Sequence, residues 1–354
     1  MNEESGVLFE EISGTGGAIG LITLNRPQVL NSLNHAMIRA MTAQLKIWAK
    51  ASAIKAVVIR AAEGRAFCAG GDLRSTYERY QKKDISLSQF FYEEYHLNRC
   101  IFHFPKPYIA LLDGITMGGG VGISIHGSHR IATERLVFAM PEKGIGFFPD
   151  VGGTYFLPRL PCKLGFYLGL VSAKLSSDDC IRMGIVTHKV AHDAIPQLIQ
   201  ALTKHPFHDH AHAAVTAILE PFQTKVESSQ FIEQQAEIEA CFSKHTMEDI
   251  FLSVQKAKYS LCQAAALSIP KKSPTSLKVT LRALQEGGQL DFDQCMKQEF
   301  RLACRFLQGH DFVEGIRAVI IDKDQVPQWD PPTLSLVKEK NVEAYFLPLV
   351  EELI

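Results

Sequence analysis

Ala66-Phe67-Cys68-Ala69-Gly70-Gly71-Asp72 and Gly114-Ile115-Thr116-Met117-Gly118-Gly119-Gly120 are the two stretches on which the reading of the fold turns. Each follows an apolar run that reads as a buried strand, residues 56–59 before the first and 108–112 before the second. Glycine lets a backbone approach a ligand closely. A helix N-terminus adds free N–H groups and the positive end of a dipole. Two such loops, one N–H from each, supply two donors for one developing oxyanion, which is what acyl and enolate chemistry on a thioester requires. Taken singly, either loop reads better as a tight turn packing a helix on a sheet.

Working outward, residues 7–12 and 18–24 read as a hairpin joined by Ser13-Gly14-Thr15-Gly16-Gly17. A strand and not a helix follows those glycines, so they fail as a dinucleotide loop. Asn34 caps an amphipathic helix with Met37, Met41, Leu45 and Trp48 on one face, and residues 86–103 form another helical stretch. Gly118-Gly119-Gly120 opens the next helix. Alternating strands and helices predict a parallel sheet with crossover helices. Beyond about residue 195 the pattern changes. His205, His208, His210 and His212 cluster around Pro206 and read as a solvated junction in preference to a metal site. Helices are then expected over 228–242, 247–261, 276–286 and 292–307, the third opened by Ser273-Pro274-Thr275-Ser276. The expected organisation is a catalytic core over residues 1–200 and a helical region over 201–354 packed on it.

The bulk numbers narrow the partners. Lys plus Arg is 37 against 38 for Asp plus Glu, so no net field draws nucleic acid or an anionic membrane. The longest apolar runs fall short of a membrane span. The eight cysteines form no C-x-x-C pair and read as reduced, packed thiols. Met1-Asn2-Glu3-Glu4-Ser5 is acidic, unlike a secretory or mitochondrial leader, which makes the cytoplasm the default, or the mitochondrial matrix if a leader has been removed.

Four motifs, in this order, resemble the crotonase (enoyl-CoA hydratase/isomerase) superfamily: Leu24-Asn25-Arg26-Pro27, the loop ending Gly70-Gly71-Asp72, Met117-Gly118-Gly119-Gly120, and Pro149-Asp150-Val151-Gly152-Gly153-Thr154. The resemblance implies an α/β crotonase spiral of β-β-α units. It also implies an oxyanion hole from the residue before the Asp of the first loop and the middle glycine of the second, here Gly71 and Gly119. Arg26 and Ala69 match CoA-binding positions, although a plain surface role suits Arg26 as well.

Hydratases of that superfamily use two glutamates, and the first falls here on Gly122, which has no side chain for acid–base work. The second matches Glu142, and Asp150 stands where hydratases usually carry glycine. One carboxylate lost and another gained resembles the hydrolase branch, the 3-hydroxyisobutyryl-CoA hydrolases. Phe90-Phe91-Tyr92-Glu93-Glu94-Tyr95 and Asp311-Phe312-Val313-Glu314-Gly315-Ile316-Arg317-Ala318 extend that likeness over nearly the whole chain. The likeness implies thioester hydrolysis with Glu142 and Asp150 catalytic, and Glu94, Gly119, Glu142 and Asp150 binding an acyl-CoA. No metal, nucleotide or redox cofactor is implied, and a second copy of the chain is left open as a partner. The bland alternatives are surface carboxylates for Glu142 and Asp150, which their apolar and glycine neighbours argue against, and a solvent-facing Glu94. Ser124 and His126 lack the nucleophile-elbow pattern and fall inside the helix opened by the glycines. An enoyl-CoA hydratase and a non-catalytic acyl-CoA binding protein remain as alternatives.

Overall fold

The computed structural model describes residues 5–84, 86–205, 207 and 210–353. Strands β1 (Val7–Gly14) and β2 (Gly17–Leu24) pair antiparallel, with Val7 opposite Leu24. Helix α1 (His35–Lys50) begins where Asn34 accepts a hydrogen bond from the Met37 N–H at 2.8 Å. It buries Met37, Ile38, Met41, Leu45 and Trp48. Trp48 lies over Gly20 of β2, where a Cβ would stand 2.7 Å from the indole, so the strand needs a glycine there. Strand β3 (Ile54–Ala61) runs parallel to β2, and β4 (Ala66–Cys68) follows. Helix α2 (Leu73–Gln81), capped by Asp72, leads to α3 (Leu87–Phe102). Then come β5 (Tyr108–Leu112), β6 (Ile115–Met117), the single turn α4 (Gly119–Gly122), β7 (His129–Ala132), β8 (Val137–Ala139) and β9 (His188–Lys189).

These strands make a six-stranded sheet in the order β1-β2-β3-β5-β7-β9, parallel after the hairpin, and a small sheet β4-β6-β8. All five residues of β5 are buried, as a strand covered on both faces requires. Contacts divide the chain into two compact units. The first comprises residues up to Gly71, His96–Phe138 and Lys174–Ser229, and the second Asp72–Tyr95, Ala139–Ala173 and the chain from Gln230. The first unit's core joins Ile19, Leu21, Val58, Ile109 and Ile131 of the sheet to Leu198, Leu202, Val215 and Leu219 of helices.

The second unit is mainly helical. Helix Pro274–Gly287 starts at Ser273, whose hydroxyl accepts from the Ser276 N–H, with proline in its first position. Helix Phe292–Phe306 starts at a capping box of Asp291 and Gln294. Their inner faces meet a ring cluster in which Phe147 lies 5.4 Å from Phe306 and 4.7 Å from Phe312.

Two expectations are corrected. Helix α4 ends at Gly122, so Ser124 and His126 lie in the turn beyond it, where the Ser124 hydroxyl donates to the Gly120 and Val121 carbonyls at 2.8 and 3.0 Å. The helix expected over 247–261 breaks into Met247–Gln255 and Ser260–Ser268, with the N–H groups of Lys258 and Tyr259 donating to Glu237. His208 lies outside the described residues, as do residues 1–4. His212 stacks on His129 with centroids 6.3 Å apart. Among the described residues no group of three His, Cys, Asp or Glu is gathered for a metal, and no helix is long and apolar enough to cross a membrane. Among the described residues no cysteine forms a disulfide.

Candidate active site

In the first unit the two glycine loops leave the ends of neighbouring parallel strands, with Ala66 opposite Ile115 and Cys68 opposite Thr116. Gly70 has φ +108°, and a Cβ on it would stand 3.3 Å from the Met117 carbonyl and 3.6 Å from the Gly119 nitrogen. The loops therefore adjoin, and a side chain at residue 70 would intrude between them. Gly120 presses harder: its Cβ would fall 2.2 Å from the Cys68 carbonyl oxygen. The Gly119 N–H is the first of α4 and has no partner within the helix. Gly71 bridges Leu33 through its neighbour, because the Leu33 N–H donates to the Gly70 carbonyl at 2.8 Å. Among the described residues neither the Gly71 nor the Gly119 N–H reaches an acceptor. Two free donors on adjoining loops are what an oxyanion needs.

Arg26 stands at the start of the turn running beside the first loop. Its N–H donates to Asn31 Oδ1 at 2.8 Å and its guanidinium to the Ser32 carbonyl at 2.6 Å. Asn31 ties the turn to β4 through the Ala66 carbonyl, and the Ala69 N–H donates to the Leu30 carbonyl at 3.0 Å. Arg26 is half-buried. Gly122 is buried within α4 and offers no carboxylate.

In the second unit the structure gathers Glu94, Glu142 and Asp150, all buried. Glu142 opens the tight turn Glu142–Ile145, which Gly146 closes at φ +66°. A Cβ on Gly146 would lie 2.3 Å from the Asp311 carbonyl, so the turn is clamped on helix His310–Ile316. The Ser276 hydroxyl donates to the Phe147 carbonyl and fixes the chain between the two carboxylates. Tyr95 Oη donates to Asp150 Oδ2 at 2.8 Å. Beyond Asp150 the backbone turns through Val151 (φ +52°) and Gly152 (φ +87°). Glu299 holds that turn, accepting from the Gly152 N–H at 2.7 Å, the Thr154 N–H at 2.9 Å and the Thr154 hydroxyl at 2.6 Å. Both oxygens of Glu142 and Oε1 of Glu94 are buried without a hydrogen-bond partner among the described residues.

Burial pushes the Glu142 carboxyl up to about 8, with the Lys143 ammonium opposing and the charges of Asp150 and Glu299 adding to the rise. Burial raises Asp150 above the usual carboxylate range against the hydrogen bond from Tyr95, and raises Glu94 with help from Asp150's charge. Burial takes Glu299 to about 8. Carboxyls in this state switch between donor and base near neutral pH, and strongly perturbed groups in one cluster mark a site of chemistry more often than an ordinary surface.

Sequence reasoning did not single out Tyr95, Glu299 or Lys143. Tyr95 directly follows Glu94 in the quoted run. Glu299 was detectable as a carboxylate inside an apolar stripe, because Cys295, Met296, Leu302, Ala303 and Phe306 of the same helix are all buried. Lys143 carried no signal beyond its place after Glu142.

A parallel sheet beside adjoining glycine amides, with a buried carboxyl cluster elsewhere in the chain, defines a crotonase-fold protein, and the chain belongs to the enoyl-CoA hydratase/isomerase family, whose model matches residues 19–346. Among its relatives are proteins named 3-hydroxyisobutyryl-CoA hydrolase, mitochondrial. That of Danio rerio is 44% identical over 98% of this chain and 91% of its own length, and that of Homo sapiens is 42% identical over 99% and 91%. Among solved structures, one described as a carnitinyl-CoA dehydratase from Mycobacterium thermoresistibile is 38% identical with a TM-score of 0.89, covering 99% of this chain and 98% of its own. One described as an enoyl-CoA hydratase from Rhodobacter sphaeroides is 35% identical with a TM-score of 0.88, covering 97% and 98%.

Proposed function

We propose that this chain hydrolyses the thioester of 3-hydroxyisobutyryl-CoA, and of 3-hydroxypropionyl-CoA, to the hydroxy acid and free CoA, the reaction of valine breakdown. The observation that carries the reading is the carboxyl pattern: Gly122 removes one hydratase position, while Glu142 and Asp150 are both buried and both shifted upward. The full-length relatives named for that hydrolysis support it. In this reading the N–H groups of Gly71 and Gly119 stabilise the thioester oxyanion, a donor of that kind being worth about 3–4 kcal/mol of transition-state stabilisation. Glu142 attacks the carbonyl or takes the proton of a water. Asp150 and Glu94 hold the 3-hydroxyl and the water, and Asp150, neutral in part near pH 7, can return a proton to the leaving thiolate. Arg26 and Ala69 hold CoA. In this reading the substrate, a water and the protein's own backbone and side chains supply every group the reaction uses.

The second reading is a lyase, the class named in the descriptions of two similar solved structures. One experiment separates the readings: incubation with crotonyl-CoA and with 3-hydroxyisobutyryl-CoA, following enoyl absorbance and free thiol. Thiol release from the hydroxyacyl thioester with unchanged crotonyl-CoA is expected. Hydration of crotonyl-CoA without thiol release overturns the hydrolase, and binding of both without turnover points to a carrier. Isobutyryl-CoA should be cleaved poorly, because a site built to bond a hydroxyl is left with unpaired polar groups by an analogue lacking it.

A further inference from the structure

Lys143 follows Glu142 directly and is one of the largest fully buried side chains of the molecule. Its Nζ has one hydrogen-bond partner among the described residues, the Met140 carbonyl at 3.4 Å, and no ion pair closes on it. The Glu142 carboxyl, one residue away in the same clamped turn, has no hydrogen-bond partner from another residue among the described residues. A lysine is rarely buried without a use, since an ammonium out of water is costly unless an opposite charge accompanies it. Nothing in the reaction outlined above uses Lys143.

We propose that Lys143 is a positioning residue for that reaction: its ammonium, buried in the same turn, is the counter-charge that allows Glu142 to ionise before it meets the thioester. The inference rests on Glu142 being the reacting carboxylate. With Glu142 ionised and Lys143 protonated, the two buried charges cancel and no net charge is added to the interior. The pair thus reaches the reactive form without the desolvation cost a lone carboxylate would carry. The surroundings agree in sign. Asp150 and Glu299 push Glu142 towards its neutral form, and Lys143 is the cation that weighs most against them. Burial takes Lys143 down to about 7, Glu142's charge holds it up, and Lys272 pushes it further down. Lys272 Nζ lies 3.7 Å from where a Cβ on Gly144 would stand, and Lys271 is beside it. The remaining charges on the clamping helix are engaged elsewhere: Asp311 by Ser273, His310 and the Asp330 N–H, and Glu314 by Arg317.

The test is the pH profile of kcat/KM with 3-hydroxyisobutyryl-CoA for the wild type, Lys143→Met, Lys143→Arg and Glu142→Gln. For Lys143→Met the alkaline-rising limb should move up by about one pH unit or more, which is about a tenfold loss at pH 7. KM should hold and the rate should recover above the shifted limb. Lys143→Arg, which cannot lose its proton, should place the limb at or below the wild-type position. If Lys143→Met does not fold, the arginine variant carries the test alone, and a limb raised towards alkaline pH in it overturns the inference. So does an unmoved limb in folded Lys143→Met, or equal losses at every pH, which mark a packing role. Glu142→Gln keeps the two readings apart: wild-type turnover there removes the reacting carboxylate itself, whereas a dead Glu142→Gln with an unmoved Lys143→Met limb removes only the part given to Lys143. Should turnover fail altogether, the infrared band of the neutral carboxyl that Glu142→Gln deletes is titrated in the free protein. It should persist to higher pH in Lys143→Met, and an unchanged titration overturns the inference.

Discussion

At the scale of single residues, Glu142 and Asp150 are eight positions apart, sit in different turns, and should fail differently. Among the described residues no other residue hydrogen-bonds the Glu142 carboxyl, whereas Asp150 already accepts a bond from Tyr95. Glu142→Gln keeps the shape and removes the base or nucleophile. Thiol release should fall by roughly 10²–10⁴-fold or more with little change in binding, the lower range being what acid–base assistance supplies. Asp150→Gly should slow turnover and also narrow the preference for 3-hydroxyisobutyryl-CoA over isobutyryl-CoA, measured as a ratio of kcat/KM. A single turnover in ¹⁸O-water then tests for the covalent route: label found in the Glu142 carboxyl shows an anhydride opened at the enzyme carbonyl. Stability gives a second handle. The Glu142 carboxyl titrates near 8 in the fold against an ordinary 4.5. The stability that comes from burying it as the neutral acid is therefore whole below about pH 4.5 and is lost as pH rises through about 8. The glutamine variant has no such loss. Its melting temperature relative to the wild type should climb from pH 5 to pH 8, at up to about 1.4 kcal/mol per pH unit; a constant difference by calorimetry would contradict the upward shift.

At the scale of elements, much of the fold was readable because its signals are local. The hairpin, α1 with its Asn34 cap, β3, β5 and the helix begun at Ser273 are each marked by a period or a cap within a few residues. The end of α4 was not readable, since glycines both open the helix and end it; beyond Gly122 the Ser124 hydroxyl bonds back to the carbonyls of Gly120 and Val121. Nor was the break between Gln255 and Ser260, which depends on Glu237 of another helix. In the site, Glu142 and Asp150 were visible through motif and apolar neighbours. Glu299 showed only as a carboxylate in an apolar stripe, and its partner was not legible, because the contact spans 147 residues of sequence. That contact makes a prediction. Glu299→Gln puts an amide donor against the Gly152 or Thr154 donors, costing on the order of 1–3 kcal/mol. Tm should fall by several degrees, and kcat should fall more than KM changes, because the turn that carries Asp150 is loosened. A variant with native Tm and native kcat would mean that Glu299 neither anchors the turn nor serves the site.

At the scale of the whole molecule, the change of pattern near residue 200 prompts the question of whether the chain beyond it is an independent module. Inside the first unit, Val215 and Leu219 belong to the same apolar cluster as Ile19, Leu21, Val58 and Ile109 of the sheet. Inside the second, the segments carrying Glu94, Glu142 and Asp150 are completed by helices that begin only at Gln230. Glu299 holds the turn after Asp150, Ser276 holds Phe147, and the backbone of Asp311 receives Gly146. A fragment ending at His205 would therefore leave sheet residues of the first unit uncovered and strip the carboxylate turns of every one of these supports. Each buried aliphatic side chain returned to water costs about 1.5–3 kcal/mol, and a domain's whole margin is only about 5–15 kcal/mol. The fragment should be aggregated, or soluble with no thioesterase activity and the far-ultraviolet spectrum of a largely unfolded chain. Extending it to Ser229 restores the first unit's own segments and should recover cooperative melting without activity. A soluble fragment ending at His205 that releases thiol at the full-length rate would show that the C-terminal helices are a separate module after all.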